Sequence, residues 1–110
     1  MPLSEKARIE IYIRDLPDET YQGLLAELER ELTYAFGGCS VIEGVRGNYL
    51  TTAGPAVPDR ITLLYTDTPL ALSTRYELAS AYAGELRDAA FRALREETVL
   101  VAVTAVHHAV

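Results

Sequence analysis

Strict alternation of apolar and polar residues marks the first predicted element. In residues 8–14 every second position is an isoleucine, and the positions between carry arginine, glutamate or tyrosine. A period of two residues is typical of a β-strand with one face in a core. We therefore predict a first strand whose core side is formed by Ile9, Ile11 and Ile13.

The next stretch changes to helical spacing. After a break at residues 16–19, apolar side chains recur every three or four positions, with charged residues between them. These apolar positions are Tyr21, Leu24, Leu25, Leu28, Leu32, Ala35 and Phe36. The pattern predicts an amphipathic helix of about five turns, which the pair Gly37–Gly38 ends.

The middle of the chain predicts two further strands. Residues 39–43 are rich in β-branched side chains, and the two glycines that follow permit a bulged continuation to residue 50. Residues 52–58 have the composition of a loop. Residues 59–67 alternate again and predict the third strand.

A second helix and a last strand complete the pattern. Thr74 and Glu77 match a capping box, and the apolar spacing after them predicts a helix that ends near Glu97. The last strand, residues 99–106, is apolar on both faces.

The resulting order, βαββαβ, predicts an α+β fold of the ferredoxin-like sandwich type. In that arrangement a four-stranded antiparallel sheet, in the spatial order 4-1-3-2, carries two helices on one face. A chain of 110 residues is long enough for one core and not for two, so we expect residues 1–110 to form a single domain.

Two helices cover only one face of such a sheet. We assign Ile61, Leu63 and Tyr65 of the third strand to the helix side, together with the isoleucines of the first strand. The predicted open face then carries Tyr12, Leu64, Leu100, Ala102 and Val106. An exposed apolar patch usually marks a contact surface, so we predict a homo-oligomer, most simply a dimer through the open face. The alternative is a monomer whose open face is shielded by the long loop or by the C-terminal residues.

Charge narrows the choice of partners. The chain has 16 acidic and 10 basic residues and a net charge of −6. It therefore has no general attraction to nucleic acid or to anionic membranes, and we expect neither as a partner. No window approaches the ~20 apolar residues of a membrane span, and the N-terminal residues do not resemble a signal peptide. We expect a cytoplasmic protein.

Candidate chemical groups collect at one end of the predicted sheet. The strand directions place His107 and His108 at the same end as Cys39 and Asp67. The cysteine and the histidines lie on opposite outer strands, roughly 14 Å apart, and adjacent histidines on a strand point to opposite faces. We therefore predict no catalytic residue, metal site or cofactor, and we interpret the histidines as a frayed terminal pair and the cysteine as a small buried residue.

The segment from residue 44 to residue 50 is the most distinctive of the chain. It combines two glycines with Arg46, Asn48 and Tyr49 beside the predicted loop. Backbone N–H groups and a guanidinium in such a segment can bind a small anion, so these three residues are the candidate ligand-binding residues. The alternative is a twisted, bulged hairpin in which the glycines serve only the backbone geometry.

Two segments of the chain resemble known groups of proteins. Residues 37–50, Gly-Gly-Cys-Ser-Val-Ile-Glu-Gly-Val-Arg-Gly-Asn-Tyr-Leu, end the first helix and form the second strand, and residues 96–101, Glu-Glu-Thr-Val-Leu-Val, lead into the last strand. This layout resembles a group of small uncharacterised bacterial ferredoxin-like domains, which implies the fold and no established activity.

A weaker similarity is to the PII-like signalling proteins, trimers of the same fold whose long loop between strands two and three binds nucleotides or other small metabolites. Residues 40–47, Ser-Val-Ile-Glu-Gly-Val-Arg-Gly, are similar to the strand that leads into that loop. Of the basic phosphate-binding residues of that family, Arg46 alone has a match.

Three functions stay open at this point. The first is a self-associating interaction or assembly module without catalysis. The second is a PII-like sensor of a small anionic metabolite or nucleotide near Arg46. The third is a small enzyme whose pocket lies between subunits, with Glu10, Tyr12, Arg14 or His107 in its lining.

Overall fold

The computed structural model describes residues 3–15, 19–50, 54, 56–94 and 99–109, except for the side chains of Tyr49, Leu50, Val57 and Leu94. Six elements follow one another along the chain: β1 (Leu3–Arg14), α1 (Glu19–Phe36), β2 (Ser40–Leu50), β3 (Ala56–Asp67), α2 (Leu72–Leu94) and β4 (Leu100–Ala109). The predicted α+β order is confirmed. The predicted end of the second helix, residues 95–97, lies outside the described residues.

The strands form one sheet in the order β2-β3-β1-β4, in which all neighbours are antiparallel. This is the predicted spatial order listed from the opposite edge. No described helix is long and apolar enough to cross a membrane.

Alternation along β1 divides the sheet into two faces. Ile9, Ile11 and Ile13 are at most 1% exposed. They form one core with side chains of both helices, so both helices pack on this face, which we call the helix face. Removal of these large aliphatic side chains from water stabilises the fold by about 1.5–3 kcal/mol each.

The face assignment of β3 is the reverse of the prediction. Ile11 lies opposite Leu64, and residues directly opposite each other on paired strands share a face. Leu64 is therefore on the helix face, where it is fully buried, and not on the open face as predicted. The same register moves Ile61, Leu63 and Tyr65 to the open face.

Two threonines decide this orientation. The hydroxyl of Tyr21 on α1 donates a 2.7 Å hydrogen bond to the hydroxyl of Thr62, and the hydroxyl of Thr66 donates a 2.6 Å bond to the carbonyl of Gly38. A buried hydroxyl is tolerated when it is bonded, so both threonines occupy the helix face.

A side chain of β1 fixes the start of α2. The Glu5 carboxylate accepts hydrogen bonds from the Ser73 backbone N–H at 2.9 Å and from its hydroxyl at 2.7 Å. This carboxylate satisfies a free N–H of the first turn, and α2 begins at Leu72, two residues before the predicted cap Thr74. The backbone of Arg75 (φ −125°, ψ 29°) then kinks the helix.

The β2–β3 hairpin carries a bulge. Ile42 lies opposite Leu63 and Val45 opposite Ile61, so β2 contains one extra residue between them. Gly44, at φ +71°, supplies the left-handed backbone conformation there. The predicted strand through residue 50 is confirmed, and β3 begins at Ala56, inside the segment predicted as a loop.

Candidate functional site

An unbroken apolar row crosses the open face of the sheet. The register places Ile42, Leu63, Tyr12 and Leu100 side by side on β2, β3, β1 and β4. Ile42 is 47% exposed and Leu100 is 56% exposed, whereas Leu63 and Tyr12 between them are half-buried. Strands lie about 4.8 Å apart, so the row spans roughly 14 Å across the whole sheet.

The rows on either side widen this surface. Val45 and Ile61 are neighbours on one side of the row, and Tyr65 and Ala102 flank Glu10 on the other. We call the apolar positions together the open-face patch: Tyr12, Ile42, Val45, Ile61, Leu63, Tyr65, Leu100 and Ala102. Neither helix covers it, because both pack on the helix face.

Ion pairs border the patch at both ends. At one end the guanidinium of Arg14 lies 2.8 Å from the carboxylate of Asp59. At the other end Arg8 donates two hydrogen bonds to the carboxylate of Asp67, at 2.6 and 3.0 Å. The Arg8–Asp67 pair is bidentate and therefore has a fixed geometry. Together the two pairs mark the limits of the apolar surface.

The pair at Asp67 is part of a larger cluster. The guanidinium of Arg8 lies 4.6 Å from the centre of the Tyr65 ring, at the distance of a cation–π contact. Nε2 of His108 lies 3.0 Å from the second carboxylate oxygen of Asp67. The hydrogen bond from Arg8 lowers the pKa of Asp67, so this carboxylate is ionised and accepts a bond from His108.

This cluster corrects one expectation and limits the chemistry of the site. His108 is not part of a frayed terminus, because it is held by Asp67 within β4. A histidine oriented by a carboxylate is one part of a nucleophilic centre. In the described part of the chain, however, no hydroxyl or thiol is hydrogen-bonded to His108. The contact between His108 and Asp67 therefore serves to hold the end of the sheet together.

Tyr12 has a polar end within the apolar row. Its hydroxyl donates a 3.3 Å hydrogen bond to the carboxylate of Glu10 on the same strand. Loss of solvent raises the pKa of Tyr12, and the nearby Glu10 charge raises it further. The phenol is thus protonated at neutral pH and presents a ring with a bonded hydroxyl to the open face.

The structure places four of the five predicted interface residues on the open face. Tyr12 and Leu100 are direct register partners, and Ala102 lies beside Glu10. Val106 lies opposite Lys6, beyond the Arg8–Asp67 pair and apart from the patch. The fifth residue, Leu64, lies on the helix face and not on the open face.

Sequence reasoning missed the contribution of β2 and β3 to this surface. Ile42, Ile61 and Leu63 lie on the open face because of pairings with distant strands. The alternation within β3 could not reveal this, since both of its faces contain aliphatic residues.

The predicted ligand-binding residues lie on β2, beyond the bulge. Arg46 and Asn48 are exposed and share one face, opposite Arg60 and Pro58 of β3. The backbone of Tyr49 continues the strand, and its side chain lies outside the described part. Arg46 and Arg60 line a groove of about 430 Å³ with Asp15, Pro58 and Asp59.

The cysteine and the second histidine are in separate surroundings. Cys39 is half-buried, and burial raises the pKa of its thiol, which is the opposite of an activated nucleophile. His107 lies opposite Glu5. Among the described residues, no group of three or more histidines, cysteines or carboxylates is arranged to hold a metal ion.

Comparisons with known proteins do not change this description. The chain matches no protein-family model, and no curated protein is significantly similar to it.

Proposed function

We propose that the protein is a small cytoplasmic self-associating module of the ferredoxin-like type, which forms a dimer through its open face and has no catalytic role. The observation that supports this most directly is the uncovered apolar row Ile42–Leu63–Tyr12–Leu100. Many functions share this architecture, so the proposal rests on the surface and not on the fold.

Burial of the apolar row contributes favourably to association. Full burial of a large aliphatic side chain stabilises by about 1.5–3 kcal/mol, so the half-exposed Ile42 and Leu100 each contribute ~1 kcal/mol. A two-fold dimer doubles the contribution to ~4 kcal/mol before the cost of association is subtracted. The half-buried side chains between them add to this.

The distribution of charge favours self-association through the open face over self-association through the rest of the surface. The chain carries −6, but the open-face positions of β1 and β3 carry three bases and three acids. These are Lys6, Arg8, Arg14, Glu10, Asp59 and Asp67. Two copies can therefore approach through this face without the net repulsion that their total charge would cause elsewhere.

A matched pair of variants tests the proposal. Ile42→Glu places a charge in the apolar row on β2, and Leu78→Glu places one on the outer side of α2 at similar exposure, 55% against 47%. We expect Ile42→Glu to raise the dissociation constant, measured by sedimentation, by about tenfold or more. We expect Leu78→Glu to leave it unchanged. A wild-type chain that is strictly monomeric at tens of micromolar, or equal effects of the two variants, would refute an open-face dimer.

A second candidate function is the binding of a small anion by Arg46 and Arg60, in the manner of a PII-like sensor. These two arginines lie directly opposite each other on β2 and β3, and like charges in that position are destabilising. Neither has a carboxylate partner among the ion pairs of the described residues. A carboxylate or phosphate bound between them would remove the repulsion and accept charge-assisted hydrogen bonds.

Thermal shift distinguishes this candidate from a pure assembly module. We expect phosphate or citrate to raise the melting temperature of the wild type and not of Arg46→Ala or Arg60→Ala. Arg30→Ala, on the exposed side of α1, is the control. An equal rise in all four proteins indicates a general salt effect and excludes this site.

A further inference from the structure

The two edges of the sheet differ in their protection against other strands. The edge strand β2 carries Glu43, the bulge at Gly44, and Arg46. The opposite edge strand, β4, has ten residues and contains no Asp, Glu, Lys or Arg, no proline and no glycine, and its two histidines, His107 and His108, lie near its end. Charges, prolines and bulges are the usual means of protecting a free edge, so β4 is an unprotected one.

Backbone hydrogen bonds show which groups of β1 face each neighbour. The Ala7 N–H donates to the carbonyl of Leu70, and the Ala7 carbonyl accepts from the Thr68 N–H, both on the β3 side. The Asp15 N–H donates to Arg60 on the same side. Backbone groups alternate in direction along a strand, so odd-numbered residues of β1 bond toward β3 and even-numbered residues toward β4.

The free edge follows from this alternation. Arg8 lies opposite Thr104, so even-numbered residues of β4 bond to β1. The N–H and C=O groups of Val101, Val103, Ala105 and His107 therefore point away from the sheet. No group in the described residues is hydrogen-bonded to them, and together they form a row of donors and acceptors available to another strand.

Side chains on both sides of β4 are also incompletely covered. A groove of about 310 Å³ lies between α2 and β4, with the half-buried Val101 and Val103 on one wall and the small residues Ala83 and Gly84 on the other. On the open face, Leu100 is more than half exposed. The edge thus combines unpaired backbone groups with uncovered apolar side chains.

We propose that β4 pairs with β4 of a second copy of this chain, antiparallel about a two-fold axis, so that two sheets join into one of eight strands. An antiparallel edge is complementary to itself, because a two-fold axis places each outward donor opposite an acceptor of the other copy. The charge distribution also favours a second copy. Each chain carries −6, and β4 carries none of this charge.

This contact is independent of the open-face dimer, since it uses the edge of the sheet and not its face. Both contacts are two-fold, and if their axes intersect at right angles they produce a closed tetramer in which two eight-stranded sheets face each other. Each contact alone produces a dimer. The failure of one proposal is therefore distinguishable from the failure of the other.

Proline at residue 105 tests the edge contact. Ala105→Pro removes an outward N–H and leaves the bonds to β1 in place, whereas Ala105→Ser keeps the N–H and is the control. We expect Ala105→Pro to halve the mass measured by sedimentation, with unchanged circular dichroism, and Ala105→Ser to keep the wild-type mass. A folded Ala105→Pro with the full wild-type mass overturns the proposal.

Hydrogen exchange in the wild type gives a second, independent readout. We expect the amides of Val101, Val103 and His107 to be protected, and to remain protected in Ile42→Glu, which places its charge on the opposite edge strand β2. If these amides exchange at the rate of free amides in the associated wild-type protein, β4 is not paired and the proposal fails. Should Ala105→Pro not fold, Ala105→Lys keeps the N–H and places a charge at the edge, and we expect the same halving of mass.

Discussion

The phenol of Tyr21 and the hydroxyl of Thr62 are hydrogen-bonded at 2.7 Å, and each residue is 1% exposed. This bond joins α1 to β3 across 41 positions of the sequence. It fixes which face of β3 is turned to the helices. The composition of the open face is therefore coupled to this bond, together with the bond from Thr66 to the Gly38 carbonyl.

Tyr21→Phe removes this bond and leaves the Thr62 hydroxyl buried without its phenol partner. We expect a loss of unfolding free energy of about 1–2 kcal/mol, measured by urea denaturation, because a lost buried hydrogen bond costs this much. Tyr34→Phe, at a highly exposed tyrosine of the same helix, is the control and should have no effect. Equal stability of Tyr21→Phe and wild type would show that the bond does not hold β3 in place.

The strand β1 and the strand β3 differ in how far their sequences determine their orientation. In β1 only one set of alternate positions is aliphatic, so the core side was predicted correctly. In β3 both sets of alternate positions contain aliphatic residues. Ile61 and Leu63 lie on one side, and Leu64 lies between two threonines on the other. Hydrogen bonds to Tyr21 and Gly38 decide the outcome, and both partners are remote in sequence.

The same distinction applies to helices and to the candidate site. The helix α1 lies close to its prediction because its apolar spacing and terminal glycines are local signals. The start of α2 depends on Glu5, 68 residues from Ser73, and the local capping signal at Thr74 places this start two residues too late. The sequence contains more apolar residues than one helix-covered face of the sheet requires. Which of them form the open-face patch follows only from the pairing register of the strands.

Asp67→Asn tests the cluster at the end of the sheet. The bond from Arg8 makes the pKa of Asp67 lower in the folded chain than its unfolded value of about 4. Such a carboxyl adds stability above the unfolded pKa, and this stability is lost as the pH falls through the folded pKa. We expect Asp67→Asn to be less stable than wild type at pH 7, with a smaller difference at pH 3.

Urea denaturation at the two pH values measures this change. Asp88→Asn, at a more exposed carboxylate of α2, controls for the removal of one negative charge. If the stability difference between wild type and Asp67→Asn is the same at both pH values, the ionised pair with Arg8 does not contribute to the fold.

Glu5→Ala tests the capping of α2 from β1. Hydrogen bonds from Ser73 lower the pKa of Glu5, so the ionised form is favoured in the folded chain and its contribution is present at neutral pH and lost in acid. We expect a lower melting temperature at pH 7 and faster exchange of the Ser73 amide hydrogen. Glu27→Ala, on the exposed side of α1, should change neither quantity. A Ser73 amide that exchanges at the wild-type rate in Glu5→Ala would contradict the cap.

Two glycine substitutions should change stability in opposite directions. Gly44 has φ +71° at the bulge of β2, and an alanine in this left-handed conformation costs about 1–2 kcal/mol. Gly23 lies inside α1 with open space around the position of an added methyl group, so alanine there should stabilise by about 0.5–1 kcal/mol through its helix propensity. Urea denaturation of Gly44→Ala and Gly23→Ala measures both effects. A Gly44→Ala variant as stable as wild type would mean that the bulge relaxes, and the register that brings Val45 beside Ile61 on the open face would then not be fixed by this glycine.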